Sequence, residues 1–149
     1  IDLLFAYKNT VAETDYSSHG RLKNPLTPSD RIFFNVACNG PTNDKGRNWK
    51  YDFTFNHVGQ QRLPSTQNNP SEYRLSGTSE RLNLINTQIT RVFSDSFQLY
   101  LGVENLTNYR QKNTILGSDD PFGDYFDATY IYGPIFGRMS YFGLRYYIN

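Results

Sequence analysis

Apolar and polar residues alternate one for one through six separate stretches of this chain, each about ten residues long. That period puts every second side chain on one side of an extended strand and its neighbours on the other. Each stretch therefore reads as a strand in a sheet with one oily face and one wet face. The first covers 1–11, with Ile1, Leu3, Phe5 and Tyr7 on one side and Asp2, Ala6 and Lys8 on the other. The second, 30–39, groups Ile32, Phe34, Val36 and Cys38 opposite Phe33, Asn35 and Ala37. The third, 47–59, has the clearest pattern: Trp49, Tyr51, Phe53 and Phe55 against Lys50, Asp52, Thr54 and Asn56. The fourth, 81–93, sets Ile85, Thr87, Ile89 and Phe93 against Asn86, Gln88 and Thr90. Arg91 interrupts its apolar side near the strand end, where a long basic side chain can snorkel to an interface. The fifth, 97–107, opposes Phe97, Leu99, Leu101 and Val103 to Gln98, Tyr100, Gly102 and Glu104. The last, 138–148, opposes Phe142, Leu144, Tyr146 and Ile148 to Tyr141, Gly143, Arg145 and Tyr147.

About 9–11 residues suffice for a tilted strand to cross a bilayer, and these stretches meet that length. The connections between them run long, short, long, short, long: 12–29, 40–46, 60–80, 94–96 and 108–137. Hairpin loops of soluble β domains are usually about 2–5 residues, without such a rhythm. Outer-membrane barrels have short periplasmic turns and long extracellular loops. If the long connections lie outside, the last strand runs inward and leaves the C-terminus in the periplasm. Aromatic placement points the same way. Tyr and Trp favour bilayer interfaces, and Trp49 begins a stretch while Tyr146 and Tyr147 end one.

Composition bounds the alternatives. Aromatics make up 16% of the 149 residues, with 12 Tyr and 11 Phe, yet mean hydropathy is only -0.63. The rings are thus scattered through alternating segments rather than gathered in apolar runs. A net charge of +1 gives no electrostatic footprint for nucleic acid. The single cysteine, Cys38, excludes an internal disulfide framework and a Cys-rich zinc site. No run of about 18 apolar residues exists to form a membrane-spanning helix. The opening Ile1-Asp2-Leu3-Leu4-Phe5 already reads as the inside of a strand, so we expect a chain that starts mid-barrel, with any signal peptide upstream.

From residue 49 onward the sequence resembles the C-terminal end of TonB-dependent outer-membrane receptors of the kind common in Bacteroidota. The resemblance lies in WKYDFTFNHVGQQRL at 49–63 with Pro64-Ser65, and in LYLGVENLTNYRQ at 99–111. It continues through DDPFG at 119–123, Phe126-Asp127-Ala128, Tyr132-Gly133-Pro134, Gly137-Arg138 and the terminal YFGLRYYI at 141–148. Its most specific piece is Gly102-Val103-Glu104-Asn105-Leu106-Thr107-Asn108, similar to the G-x-x-N-L-x-(D/N) signature of that family. Physically, Gly102 leaves the wet side uncrowded, and Asn105 and Asn108 can hydrogen-bond local backbone where the ladder stops. The last strand also resembles the signal read by the barrel-assembly machinery, with departures at Ser140 and at Ile148-Asn149, where that signal has a terminal Phe.

The resemblance implies an antiparallel all-β transmembrane barrel of about 22 strands around an N-terminal plug. Residues 1–149 would supply about six of those strands and no plug. It implies an importer driven by TonB for a scarce solute such as an iron chelate, a cobalamin-like cofactor or an oligosaccharide. A surface lipoprotein accompanies the glycan-importing branch of the family. Strand parity turns Lys50, Asp52, Glu104 and Arg145 toward the lumen, where they would meet the plug by ion pairs.

Residues that carry chemistry are few. Tyr73, Arg74, Tyr125, Tyr130 and Tyr132 fall in outer loops and could stack on a sugar or ring or pair with an anion; packing the loops onto one another, which needs no ligand, is the simpler role. Asp119, Asp120, Asp124 and Asp127 form an oxygen-rich stretch of the type that holds Ca²⁺, but not at EF-hand spacing, and turn chemistry explains them as well. His19 and His57 stand without partners at ligand spacing and read as loop or interface residues. No nucleophile elbow or phosphate loop is present, so we expect neither enzymatic activity nor a cofactor. Two other classes stay open. One is a small self-standing outer-membrane barrel with a structural or adhesive role, which would need about eight strands. The other is a soluble β-sandwich binding carbohydrate through its loops, against which stand the full charges Asp52, Glu104 and Arg145 on the wet faces.

Overall fold

The computed structural model describes residues 1–18 and 20–148, so His19 and Asn149 lie outside the described residues. It is an all-β structure built on one antiparallel six-stranded sheet. The strands are β1 (Asp2–Asn9), β4 (Asp30–Asn39), β5 (Asn48–Val58), β6 (Leu82–Ser94), β7 (Phe97–Glu104) and β8 (Met139–Tyr146). They lie in that order across the sheet, each next to its neighbour in the series. All six alternating stretches are therefore strands, and 30–39 has the expected bounds. The others are shorter by one to three residues at an end, or shifted by one, because paired backbone stops before side-chain alternation does.

The first long connection holds structure that the alternation did not announce. Residues β2 (Glu13–Tyr16) and β3 (Gly20–Lys23) pair as a separate two-stranded hairpin, braced by an Arg21–Glu13 ion pair of 2.9 Å. A single 3-10 turn, Ser71–Tyr73, interrupts the second.

Register decides what the faces carry. Directly opposed residues of an antiparallel pair project to the same side. Phe5 faces Phe34, which faces Phe55, which faces Ile85. Cys38, Tyr51, Ile89, Leu101 and Phe142 form a second row across five strands. A one-residue slip anywhere would swap these rows to the other face, so the apolar pattern itself locks the register. Opposite them, the other face carries Asn35, Asp52, Thr54, Gln88, Thr90 and Arg145.

Among the described residues no element covers the apolar face. In the middle of the sheet Tyr51 and Leu101 keep 49% and 51% of their surface exposed, and at the margin Phe142 keeps 69%. Strands β1 and β8 each pair on one side only, so the sheet is open at both edges. The clustered apolar core lies instead among the long connections, where Leu63, Leu116 and Tyr130 are buried together, with Tyr73, Leu75 and Tyr132 packed around them. All three long connections emerge at the same end of the sheet, while 40–47 and 95–96 turn at the other.

Candidate functional site

Two regions gather the residues singled out by sequence: the loop assembly at one end and the polar face beneath it. The loop assembly begins at the top of β7. There the strand leaves the sheet through Asn105 and Asn108, both in the left-handed region at φ 52° and 54°, which Asn tolerates better than other side chains. The Asn105 amide is buried and fully used. It donates to the Tyr109 and Phe136 carbonyls at 2.7 and 3.3 Å and accepts from the Tyr109 N–H at 3.0 Å. The backbone N–H of Asn105 donates to Asn86 Oδ1 at 2.9 Å, and Asn108 Oδ1 accepts from the Arg138 N–H at 2.9 Å. The expected role of this motif, closing off backbone groups where the ladder ends, is what the side chains do.

Further out, Gln111 is the hub. Its Nε2 donates to the Tyr130 carbonyl at 2.6 Å, and its Oε1 accepts from the N–H groups of Tyr132 and Gly133 at 2.8 and 2.9 Å. One buried amide thus ties both ends of the last connection together. Sequence reasoning missed Gln111, and nothing in its local pattern marks it. Glu80, from the second connection, receives the Tyr109 hydroxyl at 3.2 Å. Burial first, then neighbouring Tyr132 and Glu80, push the Tyr109 phenol well above its ordinary value.

The five loop residues expected to contact a ligand divide. Tyr73 and Tyr125 stack on each other with ring centres 5.2 Å apart and planes 16° apart. They border a shallow groove with Asp120, Asp124 and Phe126. Asp119 foremost, then burial, raises the Tyr73 phenol above its usual value. Arg74 is exposed and donates from Nε to the Asn69 carbonyl at 2.7 Å. Tyr130 is 3% exposed and belongs to the loop core, its hydroxyl on the Pro64 carbonyl at 3.4 Å. Tyr132 packs against that core.

The four Asp residues are not gathered. Asp127 Oδ1 accepts from the Thr129 N–H at 2.7 Å, Asp120 closes a turn through its carbonyl to Gly123, and among the described residues no three acidic, His or Cys side chains come together. His57 is held by contacts that its sequence position does not announce. It lies within β5, inside the expected stretch 47–59, and strand pairing gives it two polar partners: Nε2 stands 3.3 Å from Asp30 Oδ2, and Nδ1 2.7 Å from Asn83 Oδ1. The residues are 27 and 26 positions apart in sequence, and only strand register brings them together.

On the polar face, Lys50, Asp52 and Arg145 line one groove with Gln88, Thr90 and Gln98. Asn35 Nδ2 donates to Asp52 Oδ1 and Oδ2 at 3.3 and 3.2 Å, and the Thr54 hydroxyl donates to Oδ1 at 3.4 Å. The Arg145 guanidinium lies 5.1 Å above the Tyr100 ring. Glu104 is apart from this group, at the loop end of β7 opposite Met139. The face is a hydrogen-bonded, mixed-charge surface suited to water or to a polar protein partner.

Comparison with protein-family models, with curated proteins and with solved structures finds no match to this chain. The class that the geometry defines is thus a two-faced antiparallel sheet, polar on one side and uncovered apolar on the other, crowned at one end by a self-packed loop assembly.

Proposed function

We propose that this chain is the C-terminal part of the barrel of an outer-membrane receptor of the TonB-dependent kind, importing a scarce solute rather than catalysing a reaction. The observation that carries the reading is the apolar face: rows of Phe, Tyr, Leu and Ile run in register across the sheet with none of the described residues packed upon them. Burying one such side chain is worth about 1.5–3 kcal/mol. Leaving these rows half in water would forfeit an amount comparable with the roughly 5–15 kcal/mol net stability of a typical domain. Hydrocarbon on that face removes the deficit, and the polar face then lines a lumen. The long connections at one end and short turns at the other match the asymmetry of outer-membrane barrels.

In this reading, strands outside residues 1–149 pair with the free edges of β1 and β8, since an open edge in lipid leaves backbone groups unsatisfied. The same requirement disfavours a self-standing small barrel, which needs about eight strands where the sheet has six. Lys50, Asp52 and Arg145 would meet a plug, the loop groove at Tyr73 and Tyr125 would meet the solute, and TonB would act on the upstream region. The barrel-assembly machinery would insert the protein, and a surface lipoprotein would join it if the solute is a glycan.

The test is envelope fractionation of the intact protein, followed by gel mobility before and after boiling. The expected result is outer-membrane localisation, a heat-dependent shift and solute uptake that disappears without TonB. An intact protein that is monomeric in buffer without detergent would overturn the reading.

A further inference from the structure

Arg91 is the one Lys or Arg on the apolar face among the described residues of the six strands. It sits in the row Trp49–Arg91–Leu99–Leu144, close to the short-turn end of the sheet. Its guanidinium carbon lies 4.8 Å from the centre of the Trp49 ring and 5.7 Å from that of Phe93. Among the described residues no carboxylate forms an ion pair with it. Beside it runs an apolar groove lined by Ile89, Leu99, Leu101 and Phe142.

From this arrangement we propose a phospholipid site: Arg91 takes the phosphate of an anionic phospholipid, and one acyl chain lies in the groove beside it. The inference rests on the reading of this face as membrane-embedded.

Charge complementarity selects the occupant. A guanidinium at the edge of hydrocarbon is costly unless an anion or the interface accepts it. Cation–π contact with Trp49, and more weakly with Phe93, stabilises the group. It leaves N–H edges free for two-point contact with phosphate oxygens, which an ammonium cannot match. Trp49 itself favours headgroup depth, where its ring is apolar and its N–H can reach water. The groove supplies what free phosphate does not use, an apolar channel running from the cation toward the middle of the sheet. Because the site lies at the short-turn end, it would serve the leaflet facing the periplasm.

The test is native mass spectrometry of the intact protein in detergent, offered dioleoyl-phosphatidylglycerol or dioleoyl-phosphatidylcholine. The wild type should keep one phosphatidylglycerol in preference to phosphatidylcholine, and excess inorganic phosphate should not displace it. Arg91→Gln should bind that lipid about tenfold more weakly, the loss of a charged hydrogen-bonding group. Arg91→Lys, which keeps the charge and is the safer variant for folding, should fall between the two. Arg31→Gln, which removes the same charge from β4 on the side shared with Asn35, should match the wild type. Equal lipid retention by wild type and Arg91→Lys, or by a still heat-shifting Arg91→Gln, would overturn the site while leaving the barrel intact. Complete displacement by inorganic phosphate would overturn it as well. A protein that needs no detergent at all would overturn the membrane reading first, and that outcome is visible before any lipid is added.

Discussion

The ring of Tyr141 lies over Gly102, its direct partner in the neighbouring strand, and its hydroxyl donates to Gln88 Oε1 at 3.0 Å. Next to it the arrangement is mirrored: Tyr100 lies over Gly143, and the two tyrosine rings meet edge to face at 6.2 Å. Glycine weakens a strand by exposing bare backbone, and an aromatic ring laid across it restores the contact. A β-carbon on Gly102 would collide with the Tyr141 ring. Gly102→Ala is therefore expected to cost about 1–3 kcal/mol and to break the Tyr141–Gln88 bond. Thermal unfolding in detergent checks it, and the loss should be much smaller in a Tyr141→Ala background, where the two substitutions couple.

Gln111→Leu keeps the shape of a buried side chain and removes its three hydrogen bonds. Each buried backbone group left unpaired costs about 1–3 kcal/mol. Limited proteolysis should cut faster within 105–138, while hydrogen exchange in β5 and β6 stays as in the wild type. Unchanged cleavage would show that the loops do not depend on this amide.

Asp52→Lys removes the acceptor for Asn35 and Thr54 and adds a third positive charge to a groove already holding Lys50 and Arg145. If this face meets a plug, uptake and plug retention both drop while the heat shift on gels persists. Uptake at the wild-type rate would remove Asp52 from that contact.

The loop assembly should loosen in alkali. Burial raises the phenols of both Tyr109 and Tyr130 above the ordinary value of 10.0. Above that value the unfolded loops release these protons while the folded loops retain them, so stability falls as pH rises. Their contribution is complete below pH 10.0 and is lost as pH climbs through the raised values. Tyrosinate absorbance and proteolysis followed together across this range should change in step. Tyr109→Phe should shift the onset.

The strands were legible because one face of each has to be apolar along its length, and Phe53, Phe55, Leu99 and Leu101 declare that face without help from distant residues. The β2–β3 hairpin was not, since Glu13-Thr14-Asp15-Tyr16 buries nothing and leans on a cross-strand ion pair. The same limit hid the partners of His57 and the part played by Gln111. Both depend on contacts between segments far apart in sequence, which no local period encodes. Tyr130 shows the ambiguity in its simplest form: an aromatic in a long loop suits a ligand platform or a small core, and here the ring is enclosed in the core.

The clustered core of Leu63, Leu116 and Tyr130 sits above the sheet rather than within it. Cohesion in this molecule is accordingly split between two sources. The crown carries its own packed cluster, whereas, if the proposed reading holds, the six strands depend on the hydrocarbon bathing their oily side. Stripping that medium away should therefore leave a folded cap on a failing wall, the reverse of the usual order in which loops fray before strands.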